Sequence, residues 1–246
     1  MQITQIFLAD AQAHMGPHLE ACVESVKREF VGVRHVLYDQ PMVETFLAQH
    51  YGPQVLEAYR RLIPYAYRAD LARYCIVHKL GGWYFDVGMR CAMGIDLPAS
   101  IDLLAFRDIN RYTSTAWACD NGVFFAKSGH PVLKRAIDQV VEHCRMQHYG
   151  VSPLCPTGPN LWGRAIAIEG ASASQAFGDS VELTAQYPHV NKALVLPDGR
   201  ILAHKKPSAP GDLESLGARG TNNYLALWQE RRVYSPHQMV KAKGFS

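Results

Sequence analysis

The chain has 246 residues, 48% of them hydrophobic and 19% charged, with 25 Lys+Arg against 22 Asp+Glu and a net charge of +3. That much apolar content excludes a disordered or fibrous chain and is ample for one core. The mild positive excess has no basic run interleaved with aromatics, since Lys205-Lys206 and Arg231-Arg232 are isolated pairs; it argues against nucleic acid and suits a small anionic substrate or an acidic membrane surface.

In chain order, Ile3–Ala9 reads as a strand, and Pro17–Phe30 as a helix with Leu19, Cys22, Val23, Val26 and Phe30 on one face. Val33–Tyr38 is a second strand. Pro41 opens a helix that runs to His50, Gly52-Pro53 breaks it, and Gln54–Leu62 continues helical. After the stretch from Tyr67 to Gly88, Ile101–Phe106 and Gly122–Ala126 are the clearest strands of a strand- and loop-rich region. His130–His148 is a long helix; a Pro- and Gly-rich loop and a helix from Asn160 follow. The short strands Val181–Thr184, Ala193–Leu196 and Arg200–His204 come next, the last two joined by a Pro197-Asp198-Gly199 turn. Strands and helices alternate first and strands dominate later, which predicts a single α/β domain over residues 1–246, Rossmann-like, with a mixed sheet and inserted strands.

Six cysteines, at 22, 75, 91, 119, 144 and 155, show neither CxxC nor a zinc-like spacing with histidine. Cys22 and Cys75 lie among apolar neighbours and read as small buried hydrophobes. The opening MQITQIFLAD lacks a basic n-region, and no apolar run approaches the roughly 20 residues of a membrane span. The expectation is a cytoplasmic protein whose membrane contact is peripheral, at the inner face.

The stretch YRADLARYCIVHKLGGWYFDVG, Tyr67–Gly88, concentrates the information. Pro64 stands near a helix start, where a missing N–H costs nothing. Ala66, Asp70, Arg73, Val77 and Leu80 form one helical stripe, and Gly81-Gly82 ends it in the left-handed conformation. Asp70 and Arg73 therefore sit one turn apart on an inward face. The strand Trp83-Tyr84-Phe85 is too aromatic for an exposed edge, and it delivers Asp86 at its carboxyl end, where open α/β sheets bind ligands. Taken singly, Asp70–Arg73 is an i,i+3 ion pair and Asp86 a turn residue ahead of Val87-Gly88; taken together they read as a site for a polar, anionic ligand.

This pattern resembles glycosyltransferase family 32, the sugar-binding region containing a DXD motif, which includes yeast initiating mannosyltransferases and bacterial capsule and lipooligosaccharide transferases. It is also distantly similar to the catalytic domains of the large clostridial glucosylating toxins. QIFLAD resembles the family's first strand, DNGVFFAKSGHP from Asp120 its N-G/A-aromatic…GHP segment, and TGPN from Thr157 its TGP loop. The resemblance implies a GT-A-like nucleotide-sugar domain. It implies an enzyme that moves a sugar from a nucleotide-linked donor, UDP-linked by expectation, to a glycan or glycolipid acceptor with retention of configuration. A catalytically inactive nucleotide-sugar or glycan-binding module and a nucleotide-sugar hydrolase stay open beside it.

By the same resemblance, Arg73, Asp86 and Asn121 are the catalytic candidates. Phe7, Asp70, Arg73, Tyr84, Asp86, Asp120 and Asn121 would bind the donor, and Asp86, His204 and Asn222 would meet a metal. Gly220-Thr221-Asn222-Asn223 reads as a closing loop with Thr221 or Asn222 as the N-cap of a last helix. Asn223 and Trp228 join His204 and Asn222 as late candidates. One departure matters: Gly88 stands where the family has its second acid. The expected Mn2+ or Mg2+ therefore loses an oxygen ligand of the kind such cations take. Replacing Arg73 by alanine is expected to abolish transfer and leave the fold intact.

Overall fold

The structure, a computed structural model, describes residues 1–10, 13–109, 115–170, 172–183, 192–205, 213–214 and 221–236. Its elements are β1 (Gln2–Ile6), α1 (Pro17–Glu29), β2 (Arg34–Tyr38), α2 (Gln40–His50), α3 (Pro53–Arg61), α4 (Tyr65–Leu80), β3 (Gly82–Phe85), β4 (Met89–Cys91), β5 (Leu103–Ile109), β6 (Cys119–Ala126), α5 (Pro131–Met146), α6 (Pro159–Glu169), β7 (Gln175–Glu182), β8 (Lys192–Val195), β9 (Ile201–Lys205) and α7 (Tyr224–Gln229). The strands form one nine-stranded mixed sheet in the order β2-β1-β3-β6-β5-β7-β8-β9-β4.

The strand directions decide where a ligand can sit. β1 runs parallel to β2 and β3, and β5 parallel to β7, while β6, β8 and β4 run antiparallel to their neighbours. One edge of the sheet therefore gathers the carboxyl ends of β1, β2, β3, β5, β7 and β9 with the amino ends of β4, β6 and β8. Asp86, Asp108, Asp120, Lys192 and Lys205 all lie along it, although they come from five different strands or strand ends.

Alternation along β3 supplies both halves of the core. Tyr84 joins Phe124, Tyr74 and Trp162 under helices α2 to α6. Trp83 and Phe85 join Phe30, Val26 and Met89 on the other face, beneath α1. The strand is buried on both faces, as its aromatic composition predicts. The Gly81-Gly82 stop also forms as expected, with φ values of 66° and 108°. A Cβ on Gly82 would meet Gln2 O at 2.1 Å, so this close approach to β1 requires glycine.

Two local expectations need correction. α4 is not a one-stripe helix: Tyr67, Leu71, Ala72, Tyr74, Cys75 and Ile76 are buried along with Asp70, Arg73 and Val77, because the sheet, α5 and the other helices surround it. Leu80, the last stripe member, is 41% exposed where the helix leaves the core. β7 starts at Gln175 rather than Val181; Gln175 to Val181 are all registered against the distant β5, and its polar sequence gives no local sign of a strand. Thr184, at the expected end of that strand, lies outside the described residues. All six cysteines are free, and only Cys155 is not buried.

Candidate active site

Arg73 leaves α4 toward the sheet edge, and its side chain is 5% exposed. Nη2 lies 3.1 Å from Asp70 Oδ1 and 3.2 Å from Asp86 Oδ1. Nη1 donates to Asn121 O at 2.6 Å and Nε to Ala69 O at 3.2 Å. The guanidinium also lies 4.4 Å from the centre of the Tyr84 ring, close enough for a cation–π contact. Burial opposes its charge, yet Asp86, Tyr84 and Asp70 together hold it above the ordinary arginine range. With its N–H groups aimed at these partners, Arg73 acts as a permanently charged clamp on two carboxylates.

Asp70 is held from three sides. Besides Arg73, Asn121 Nδ2 donates to Oδ1 at 2.8 Å and Thr157 Oγ1 to Oδ2 at 2.7 Å. Burial raises the Asp70 carboxyl against the pull of Arg73, Thr157 and Asn121. Asn121 Nδ2 also reaches Tyr74 Oη at 2.8 Å, and that hydroxyl donates to Thr157 O at 2.9 Å. The network ties α4, β6 and the TGPN loop into one unit. Thr157 and Tyr74 were not among the expected site residues; the TGPN likeness was the one signal that pointed to Thr157.

Asp86 differs from Asp70 in exposure. Its side chain is 31% exposed, and Oδ1 accepts from Arg73 and from Tyr84 Oη, the latter at 2.7 Å. The Tyr84 hydroxyl is thus engaged by Asp86 and its side chain is fully buried. Oδ2 of Asp86 takes no hydrogen bond among the described residues. It lies 2.9 Å from where a Cβ on Gly122 would sit, and Asp120 Oδ1 lies 3.0 Å from the same point. Only glycine fits between the two acids.

Asp120 and Asn121 are successive strand residues and leave on opposite faces. Asn121 turns to α4; Asp120 turns to β7 and β8. Gly122 N donates to Asp120 Oδ1 at 2.8 Å and Ser180 Oγ to Oδ2 at 3.0 Å. Lys192 Nζ lies 3.4 Å from Asp120 Oδ2 and 3.0 Å from Asp108 Oδ1. Burial alone would raise the Asp120 carboxyl, but Lys192, the Gly122 N–H, Lys205 and Ser180 hold it below its ordinary value. Lys192, Asp108 and Ser180 carry no motif, and nothing in the sequence marks them.

The remaining candidates scatter. Phe7 is half-buried just beyond β1, its N–H on Tyr38 O at 2.9 Å, on the same sheet edge as Asp86. His204 is exposed in β9 opposite Arg90 and Ala193, away from the acid cluster. Asn222 Oδ1 accepts from Ala66 N at 3.2 Å, satisfying one of the open N–H groups at the start of α4. The cap of α7 is Asn223, which accepts from Ala226 N at 3.1 Å, rather than Thr221 or Asn222. Trp228 donates to Tyr149 O at 2.9 Å and packs against the core. Tyr224, expected only to pack, does more. Burial raises its phenol, Asp70 and Asp86 add to that, and Lys192 opposes it, so charges from both clusters reach its hydroxyl.

The described residues do not make a resident cation site. No three His, Cys, Asp or Glu side chains converge among the described residues. Both Asp120 oxygens are engaged, the Asn222 oxygen caps α4, His204 is exposed on β9, and Asp86 contributes one open oxygen. Gly88 is the missing position, and it has room. A Cβ there would meet only Leu19 Cδ2, at 4.0 Å. Gly88→Asp is therefore expected to fold normally and to tighten Mn2+ binding at least tenfold over the wild type in calorimetric titration, since hard cations gain affinity from carboxylate ligands. Equal affinities would mean that the Asp86 oxygen is unavailable.

Residues 12–103 match the family described as "Glycosyltransferase sugar-binding region containing DXD motif". An uncharacterized glycosyltransferase of Acanthamoeba polyphaga mimivirus is 32% identical over 104 residues, covering 42% of this chain and 40% of that protein. Inositol phosphoceramide mannosyltransferase 3 of Schizosaccharomyces pombe is 30% identical over 126 residues, covering 51% of this chain and 33% of that protein. The chain thus aligns with well under half the length of these curated relatives. Among solved structures, the PaToxG glycosyltransferase superposes with a TM-score of 0.54 at 15% identity over 68% of each chain, a likeness of fold. The matched region holds Asp70, Arg73 and Asp86, assembled at the sheet edge, and the chain's mixed α/β fold is similar to that of a glycosyltransferase.

Proposed function

We propose that this protein transfers a sugar from a nucleotide-sugar donor to a hydroxyl of a glycan or lipid-linked acceptor. The observation that carries the reading is Asp86. One of its oxygens is fixed by Arg73 and Tyr84 and the other is open, at the carboxyl edge of the sheet and within the region that matches the family. A carboxylate fixed at one oxygen and open at the other is suited to accept hydroxyls of a ribose or sugar. The mannosyltransferase relative acts on a phosphoceramide by its name, which supports a lipid-linked acceptor; a UDP-linked donor follows from the family resemblance alone.

In the retaining course we propose, the bond from the sugar's anomeric carbon to the diphosphate oxygen breaks. The acceptor oxygen bonds to that carbon on the same face, and the acceptor's proton passes to the departing phosphate oxygen. The developing positive charge on the sugar falls near Asp86, and an oxocarbenium-like centre is stabilised by neighbouring carboxylates. Asp70, Arg73, Asn121 and Thr157 position Asp86. No helix among the described residues is long and apolar enough to cross a membrane; we propose that a lipid-linked acceptor is met peripherally.

The test is a panel of nucleotide sugars, incubated with and without glycan and glycolipid acceptors, with product followed by mass spectrometry. Sugar transfer to an acceptor is the expected result. Donor consumption only by water would instead identify a hydrolase, and donor binding without turnover a binding module.

A further inference from the structure

The position of the lost acid has unusual neighbours. Gly88 immediately precedes β4, whose first residue, Met89, is registered against Lys205 of β9. Lys205 is in turn registered against Lys192 of β8. Residues directly opposite on adjacent strands share a face, and like charges so placed destabilise a sheet. Lys192 is relieved of that repulsion by Asp108 and Asp120, at 3.0 and 3.4 Å. Lys205 is half-buried and has no ion pair within reach among the described residues. It acts on Asp120 only through space. The rim thus holds one ammonium neutralised in place and a second beside it that still calls for an anion. It stands next to the residue where a DXD-type site would have its second acid.

We propose that Lys205, held in register by Lys192, is the seat of the donor's diphosphate and supplies the positive charge that a cation bound at residue 88 would otherwise supply. The proposal rests on the glycosyl-transfer reading above and goes beyond it by naming what opposes the leaving-group charge. The division of charge is chemically coherent. Asp86 serves a sugar centre that becomes positive, and a diphosphate that becomes more negative needs a fixed cation of its own. Arg73 is poorly placed to be that cation, because Asp70, Asp86 and two backbone carbonyls take four of its five N–H groups and its side chain is 5% exposed. A lysine ammonium on a flexible stem meets phosphate oxygens as a point charge.

The experiment measures binding of inorganic pyrophosphate to the full chain in excess EDTA, by calorimetry, for the wild type, Lys205→Ala and Lys205→Arg. Transfer assays run in parallel under the same chelation. The wild type is expected to bind pyrophosphate without metal, Lys205→Ala to bind at least tenfold more weakly at an unchanged melting temperature, and Lys205→Arg to retain most of the affinity. Chelation is expected to leave most of the wild-type transfer activity. Pyrophosphate binding that requires added Mn2+, or that is equal in Lys205→Ala and the wild type, overturns the proposal even if transfer is observed. Metal-free binding that depends on Lys205, with no transfer from any donor, leaves the anion seat standing and overturns the glycosyl-transfer reading instead.

Discussion

Arg73→Ala is expected to lower folding stability by about 3–5 kcal/mol, the range for breaking a buried ion pair by removing one partner. The loss would appear as a fall in melting temperature of roughly 6–20 °C for a chain of this size. The cause is the burial of what remains. Asp70 is enclosed, with only Asn121 and Thr157 left to offset its charge, and the Asn121 carbonyl loses its 2.6 Å donor. The sequence reading of Arg73 as an inward-facing donor residue leads instead to an intact fold, and its 5% exposure together with its pairing to buried Asp70 reverses that expectation. Urea unfolding of the variant decides it. A change below about 1 kcal/mol, the size of an exposed pair, would show that the clamp on Asp70 and Asp86 is dispensable.

Asp86→Asn is expected to do the opposite: little to stability and much to the reaction. The side chain is 31% exposed, the amide oxygen can still accept from Tyr84, and Arg73 keeps Asp70. What disappears is the negative charge that the proposed function places against the sugar, and removal of one such electrostatic contact lowers turnover by about 10²–10³-fold. Kinetics with a donor identified by the panel, alongside thermal melts, separate the two effects. If kcat/KM changes less than about threefold, Asp86 is simply the residue that opens the turn to Met89, whose N–H it accepts at 3.0 Å.

Which parts of this protein are written locally can be said residue by residue. α4, its Gly81-Gly82 stop, the doubly buried strand Trp83–Phe85 and the acid at its end all follow from periodicity, glycine conformation and composition, because each depends on neighbours within a few residues. The carboxyl-edge position of Asp86 follows from the same local signals with one rule about α/β sheets. Thr157 reaches Asp70 across 87 residues of sequence, and Lys192 reaches Asp108 across 84. Such contacts are set by strand order and register, which no local pattern encodes. His204 and Lys205 make the point at the scale of one residue. The sequence favours the histidine by its resemblance, yet side chains alternate along a strand. The register of β9 against β8 and β4 sets Lys205 abreast of Lys192 and sends His204 to the opposite face. Asn222 is a similar case, since a carboxamide drawn as a ligand becomes the cap of α4 once the chain end folds back on that helix. The sequence by itself determines the elements and the chemistry of the α4–β3 core of the site. The tertiary structure alone decides which charges from β5, β6, β8 and β9 stand beside it, because pairing between distant strands is fixed by the whole sheet's packing and not by any segment of it.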